Sequence, residues 1–334
     1  MKSNTFNGSL RAIGLAAMLT CAAVPGMVRA STYQPGGLNL GASSFHDGFG
    51  GLEPGWATVQ LLQFKNNDKF YDNNGNKPGT FRNPKLTSFL WLPQIAYTSP
   101  IRVFGGALGF TVLLPVMSMH GSSDAGSMQQ LTARSGVGDI IFGPYLQMAP
   151  VISGGRPVFS QRFEFDVIAP TGAYNPSKLA NPSSGFWSLN PHWAMTFLPT
   201  AKTEISLRLH YLYNFSNHNP GVNLSDGPQF SQPNPFVIDR FRAGQAVWVN
   251  FTASYKVLPN LNVGINGFWF RQITDDTVDG RPQTGFRTTN LSIGPGAQWT
   301  VDNKNFVFMN IYLPVSERNT YSGFQMGLRW IHAF

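Results

Sequence analysis

From about residue 56 onward the chain repeats one pattern, in which apolar and polar side chains exchange at every second position. In 203–215, Ile205, Leu207, Leu209, Tyr211, Tyr213 and Phe215 share one face; Glu204, Ser206, Arg208, His210 and Asn214 share the other. A period of two marks an extended strand whose two faces meet different surroundings. Segment 158–168 repeats it, with Phe159, Phe163, Phe165 and Val167 opposed to Ser160, Arg162, Glu164 and Asp166. It recurs over 244–257 (Val247, Val249, Phe251 and Tyr255 against Asn250, Thr252, Ser254 and Lys256), over 261–269 and over 291–300. About twelve strands are predicted: 56–71, 85–97, 102–118, 135–149, 158–169, 186–198, 203–216, 242–256, 261–274, 287–301, 305–314 and 322–334. Merging or splitting one pair changes the count to about ten or fourteen.

The links alternate in length. Tight ones are expected near 98–101, 152–157, 199–202, 257–261 and 302–305, and longer polar ones near 73–84, 120–134, 171–185, 217–241 and 275–287. Short turns on one side and long loops on the other describe an outer-membrane barrel, and an even strand number puts both barrel ends in the periplasm. A soluble β-sandwich also alternates, but its strands are typically about five or six residues long. Several here exceed ten residues, about the length that crosses a bilayer at a tilt. The expected fold is therefore all-β, a transmembrane antiparallel up-and-down barrel over 56–334.

Composition agrees. Charged residues make up 12% and aromatics 13%, too little charge for a soluble surface. Mean hydropathy near neutral excludes a helical membrane bundle but suits strands that average oily and wet faces. Trp56, Tyr97, Trp187, Tyr211, Tyr213, Tyr255, Trp269, Trp299 and Trp330 fall toward predicted strand ends, where interfacial girdles place aromatics.

Residues 1–30 read as a secretory signal: Lys2 and Arg11 charge the start, 12–24 form an apolar core, and Val28-Arg29-Ala30 precede a cleavage point before Ser31. Cys21 is the single cysteine and lies inside it, so no disulfide is expected in the exported chain. Its removal lowers the formal charge of +8 by three, and no Lys/Arg cluster points to nucleic acid. Residues 31–55 are Gly-rich and unlike a strand. They are read as a periplasmic leader or a plug folded back into the lumen, the free leader being the simpler reading.

If the alternation holds, Arg162, Glu164, Asp166, Glu204, Arg208, His210, Lys256 and Arg329 face inward. Charges facing lipid at mid-depth cost ~2–4 kcal/mol, whereas a wet interior admits them. Arg162, Glu164, Asp166, Arg208 and His210 are then candidates for a constriction of opposed signs that sets selectivity. A salt-bridged network that merely fills a narrow barrel is the other reading. Phe324, Met326, Leu328, Trp330 and Phe334 alternate to the end of the chain and resemble the C-terminal recognition signal of outer-membrane barrels, with His332 a departure. That resemblance implies the barrel-assembly machinery and outer-membrane lipid as partners.

Four motifs, in order, resemble the outer-membrane barrel family named for a putative meta-pathway of phenol degradation. They are Gly138-Asp139-Ile140 within SGVGDIIFGPYL, Pro170-Thr171-Gly172-Ala173-Tyr174, Asn181-Pro182 followed by FWSLNPHWAMTFLPT, and Gly267-Phe268-Trp269-Phe270-Arg271-Gln272-Ile273-Thr274-Asp275-Asp276 ending at Gly280. The resemblance implies a transporter-type barrel passing small, hydrophobic or aromatic compounds into the periplasm, without a cofactor. Each motif also has a plain structural reading: Gly138 and Pro144 as strand kinks, Pro170-Thr171-Gly172 as a strand passing into a loop, Asp275-Asp276 as a turn. No metal site is expected from the Asp275/Asp276 pair, which lacks further ligands at calcium-loop spacing. The alternatives are a filled structural or adhesive barrel, and a lipid-modifying enzyme. The last has little support, since no GxSxG, HExxH or phosphate loop occurs and His192, with Ser188 and Asn190, falls on an inward face.

Overall fold

The computed structural model describes residues 38–220 and 238–334. The expected signal segment, the start at Ser31 and most of the loop over 217–241 lie outside them. The described chain forms twelve staves. They are β1 (Gly55–Tyr71), β2 (Lys85–Val103), β3 in two pieces (Gly106–Leu113 and Val116–Ser122), β4 in two pieces (Gly136–Val137 and Ile140–Gln147), β5 (Arg156–Ala169) and β6 (Ser188–Phe197). The rest are β7 (Thr203–Asn214), β8 (Ala246–Leu258), β9 (Leu261–Gln272), β10 (Thr289–Thr300), β11 (Asn305–Arg318) and β12 (Thr320–Ala333). Each pairs antiparallel with its neighbours in sequence, and β1 pairs with β12 from Ala57↔Ala333 to Tyr71↔Thr320, which closes the sheet. Closure leaves no free strand edge.

The two faces are inverted relative to a soluble protein. On the outside, Trp91, Phe110, Phe163, Phe165, Leu209, Ile265, Met309 and Leu328 are exposed; on the inside, Gln63, Ser160, Asn190, His192, Ser206, Asn250, Thr252 and Asn266 are buried. Only a solvent of hydrocarbon makes that arrangement favourable, because polar groups facing lipid go unsatisfied. The described residues contain no helix long and apolar enough to cross a membrane. The crossing is made by strands.

Two expected links differ from the structure. No turn forms at 98–101; β2 continues to Val103 with a register shift between Thr98 and Arg102, and the chain reverses at Phe104-Gly105 (φ 48° and 77°). Two consecutive positive-φ residues are what a tight hairpin between twisted strands needs, and glycine supplies one of them freely. The seven residues left between the last two predicted strands are not a loop either: β11 and β12 run on to a reversal at Asn319 (φ 50°). The other strands lie within a few residues of expectation. β3 breaks at Leu114-Pro115 and β4 at Gly138-Asp139, and the β4–β5 ladder skips Gly143 and Pro144, where proline has no N–H to give.

The short turns share one rim with Trp56 and Phe334, whose backbones are bonded at 3.0 Å. In the turn at 302–305, the backbone N–H of Lys304 and the side chain and N–H of Asn305 hold the Asp302 carboxyl below its ordinary range. The opposite rim carries the long loops. There Asp139, fully buried, accepts from Gly172 N–H (3.1 Å), Ser184 N–H (2.9 Å) and Ser184 Oγ (3.0 Å). Three motifs far apart in sequence thus meet at one carboxylate. Hydrogen bonds to a charged group contribute about 1.5–3 kcal/mol each. Asp139→Ala is therefore expected to loosen loop 170–187, read as faster proteolytic nicking there while the heat-modifiable gel shift of the folded barrel persists.

Candidate functional site

The inward faces of β5 to β9 form rungs. One runs Glu164, His192, His210, Trp248, Phe270, and the next runs Arg162, Ala194, Arg208, Asn250, Phe268. Adjacent strands lie ~4.8 Å apart, so side chains of one rung touch. Arg162 donates through Nε and Nη2 to Glu164 Oε2, both at 2.8 Å, and its guanidinium lies 3.7 Å from the Tyr145 ring centroid. Asp166 Oδ2 meets His192 Nε2 at 3.1 Å. His210 stacks on Trp248 at 4.2 Å and 6°.

Residues 38–54 run inside this wall. Arg208 grips Asp47 with two parallel bonds, Nε to Oδ2 at 2.8 Å and Nη2 to Oδ1 at 2.7 Å, the fork geometry that suits a carboxylate. Glu204 accepts from the backbone N–H of His46 and from Ser206 Oγ (2.6 Å) and Ser254 Oγ (2.7 Å). Asn250 binds Asn39, Gly41 and Ser43; Tyr312 Oη donates to Gly41 O at 2.8 Å; Asn310 Nδ2 donates to Ser44 Oγ at 3.0 Å; Arg329 Nη1 donates to Ala42 O at 3.0 Å. At Gly48 the segment lies against the wall so closely that a Cβ would sit 2.4 Å from Ser160 O. Glycine is required there because only its backbone fits that approach. Leu38 and Leu40 pack on a buried apolar group that includes Ile141, Ile168, Leu212 and Trp248.

The expected inward residues do not form one cluster. Arg162, Glu164, Asp166, Arg208 and His210 come together on β5 to β7, with Glu204 nearer the short-turn rim. Lys256 is exposed at that rim, and Arg329 stands apart on β12, between Leu61 and Phe308. Phe324, Met326, Leu328, Trp330 and Phe334 lie on the outward face. Asp275 pairs with Arg287 at 2.8 Å, and Asp276 accepts from Gly244 N–H and Gln272 Nε2, both at 2.7 Å. Ligand atoms of Glu164, Asp166 and His192 lie within 4.8 Å of one another. Arg162 and the Asp166–His192 contact already engage them, so a cation would have to displace a guanidinium.

Three participants escaped the reading of the sequence. Asp47 is one, since nothing in HDGFGG said which wall residue it would meet. Trp248 is another; its inward parity on 244–257 was the available signal. The third is a run of apolar inward side chains on neighbouring staves, Leu61, Leu92, Leu113, Ile141 and Ile168. Leu38, Leu40 and Ala42 of the leader pack on this run, and beside that contact it lines a cavity of about 860 Å³ that Asp47, Arg162, Glu164, His192, Arg208 and Arg329 also line.

A closed antiparallel barrel, oily outside and polar within, whose lumen holds both a cavity and an inserted segment, has the architecture of outer-membrane channels. The chain belongs to the family described as "Putative MetA-pathway of phenol degradation", whose profile matches residues 67–330. Among solved structures, the COG4313 outer membrane channel from Pseudomonas putida F1 is similar, at 19% identity and TM-score 0.71, covering 86% of this chain and 98% of that one. More distant likenesses are the KdgM porin (6% identity, TM-score 0.39, 83% and 99% covered) and a Pseudomonas aeruginosa FadL homologue (13%, 0.38, 84% and 88%). At these identities the likeness concerns the fold alone. No curated protein sequence matches the chain.

Proposed function

We propose that this protein is an outer-membrane channel that admits small, hydrophobic or aromatic compounds to the periplasm, with residues 38–54 as a lumenal plug that narrows the path. The supporting observation is the 860 Å³ cavity, with leucines and isoleucines on one wall and hydrogen-bonding groups on the other. Ligand sites are commonly of this size and mixed character, whereas a barrel built only for rigidity would fill the space with side chains. Catalysis finds no support in the lumen: among the described residues the histidines there meet Asp166, Asn190, Asn262 and Glu204, and none is hydrogen-bonded to a serine or cysteine.

The same leader favours a second reading, a filled and silent barrel, because its bonds reach staves from β4 round to β12. Planar-bilayer recording separates the two. Resolved single-channel steps, and entry of a neutral aromatic such as benzyl alcohol into proteoliposomes faster than into protein-free vesicles, are the expected result. Correctly folded protein that gives neither defeats the channel reading.

A further inference from the structure

Three arginines line the cavity, and their situations differ. Arg208 is matched by Asp47 and Arg162 by Glu164, while the third lumenal acid on this side, Asp166, is taken by His192. Arg329 has no carboxylate within ion-pair distance among the described residues. It is 92% buried, being 8% exposed; Nη1 donates to Ala42 O, the guanidinium lies over the Phe308 ring at 4.1 Å, and Nε has no hydrogen-bond partner. A buried guanidinium with an idle donor is costly to keep, and a carboxylate is the group its fork geometry matches.

What stands beside Arg329 defines the remainder of the ligand. Its register partners are Leu61 on β1 and Phe308 on β11. From Leu61 the inward face continues through Leu92, which is paired with it, to Leu113, Ile141 and Ile168. Leu61, Leu90 and Leu92 form one buried apolar group with Ala42 and Leu113 against it. On the same stretch of wall, Lys65 faces inward four residues along β1 from Leu61 and makes no ion pair among the described residues. At ~3.3 Å per residue this places a second unmatched cation roughly 13 Å further toward the long-loop rim.

We infer that the cavity is a binding site for an amphipathic carboxylate, whose acid group meets the Arg329 guanidinium and whose apolar body lies along the Leu61–Leu92–Leu113–Ile141–Ile168 wall. The inference rests on the channel reading and narrows it from hydrophobic compounds in general to apolar monoanions. Lys65 supplies a step for the anion on its way from the loop rim. Arg329 thereby discriminates by charge where the leucines and isoleucines discriminate by apolar surface.

The test compares 4-phenylbutyrate with its uncharged counterpart 4-phenylbutanol, by calorimetric titration of the purified full-length barrel in detergent. The wild-type protein is expected to bind the acid about ten-fold more tightly than the alcohol, a difference of ~1.4 kcal/mol. Arg329→Gln is expected to abolish that preference by weakening the acid about ten-fold more than the alcohol, and Arg329→Lys to retain part of it. If Arg329 serves only to anchor Ala42, Arg329→Gln alters both ligands alike, which overturns the proposal. Equal binding of acid and alcohol by the wild type overturns it as well, even if Arg329→Gln does not fold. Failure of the channel reading looks different: Arg329-dependent binding of the acid with no conductance or flux removes transport and leaves the site. Flux of neutral aromatics without acid preference does the reverse.

Discussion

Removing residues 39–53 is expected to raise single-channel conductance several-fold, without loss of the heat-modifiable gel shift that reports a folded barrel. The wall does not need the segment for its own pairing, because closure is carried by the β1–β12 ladder and the eleven hairpin contacts. The segment instead fills space that ions would use, tied at its centre by the Asp47–Arg208 fork, whose side chains are 5% and 12% exposed. Breaking one partner of such a buried pair leaves an uncompensated charge and costs about 3–5 kcal/mol, so Asp47→Ala should also open the path but lower stability. The double variant Asp47→Asn with Arg208→Gln removes both charges, and it should give the conductance change with less loss of stability. Planar-bilayer recordings of the three proteins decide the matter. Identical currents in the deletion variant and the wild type would show that the leader does not limit passage.

An arginine on the outer face at mid-barrel is expected to destabilise the protein in proportion to its depth. Leu209 lies near the centre of β7, points outward and is paired with Val249, whereas Tyr255 points outward close to the short-turn rim. In a bilayer, arginine costs ~2–4 kcal/mol at the midplane and ~0–1 kcal/mol near the interface. Leu209→Arg should therefore lower the urea midpoint of refolded protein in phospholipid vesicles far more than Tyr255→Arg. In aqueous surroundings a surface leucine and a surface tyrosine would exchange for arginine with little difference. Equal midpoints for the two variants would contradict the membrane-spanning assignment.

Much of the barrel was legible in the chain because strands that separate oil from water carry a local code. Phe163 against Glu164 and Leu209 against His210 announce their faces without knowledge of any neighbour. Asn319 and Phe104-Gly105 were missed for a related reason: a reversal of one or two residues leaves hardly any composition to read. Within the lumen, parity alone placed Arg162, Glu164, Asp166, Glu204, Arg208, His210 and Arg329 on the inner wall. Parity was silent on which of them find partners. Lys256 shows the limit, since it shares the inward register but lies at the rim, exposed.

The Gly-rich composition of 31–55 is as compatible with a free tail as with an inserted segment. What puts 38–54 inside is a set of contacts separated by 23 to 287 residues, among them Leu40 with Gln63, Gly48 with Gln147 and Ala42 with Arg329. Local alternation along the sequence by itself determined strands, faces, approximate strand number and the membrane as solvent, because each of these depends on residues two apart. Tertiary closure decided that Asp47 neutralises Arg208, that Asp139 gathers three distant motifs and that Arg329 is left unmatched beside an apolar wall. Such pairings depend on which staves face one another across the lumen, and no periodicity within a single strand encodes that.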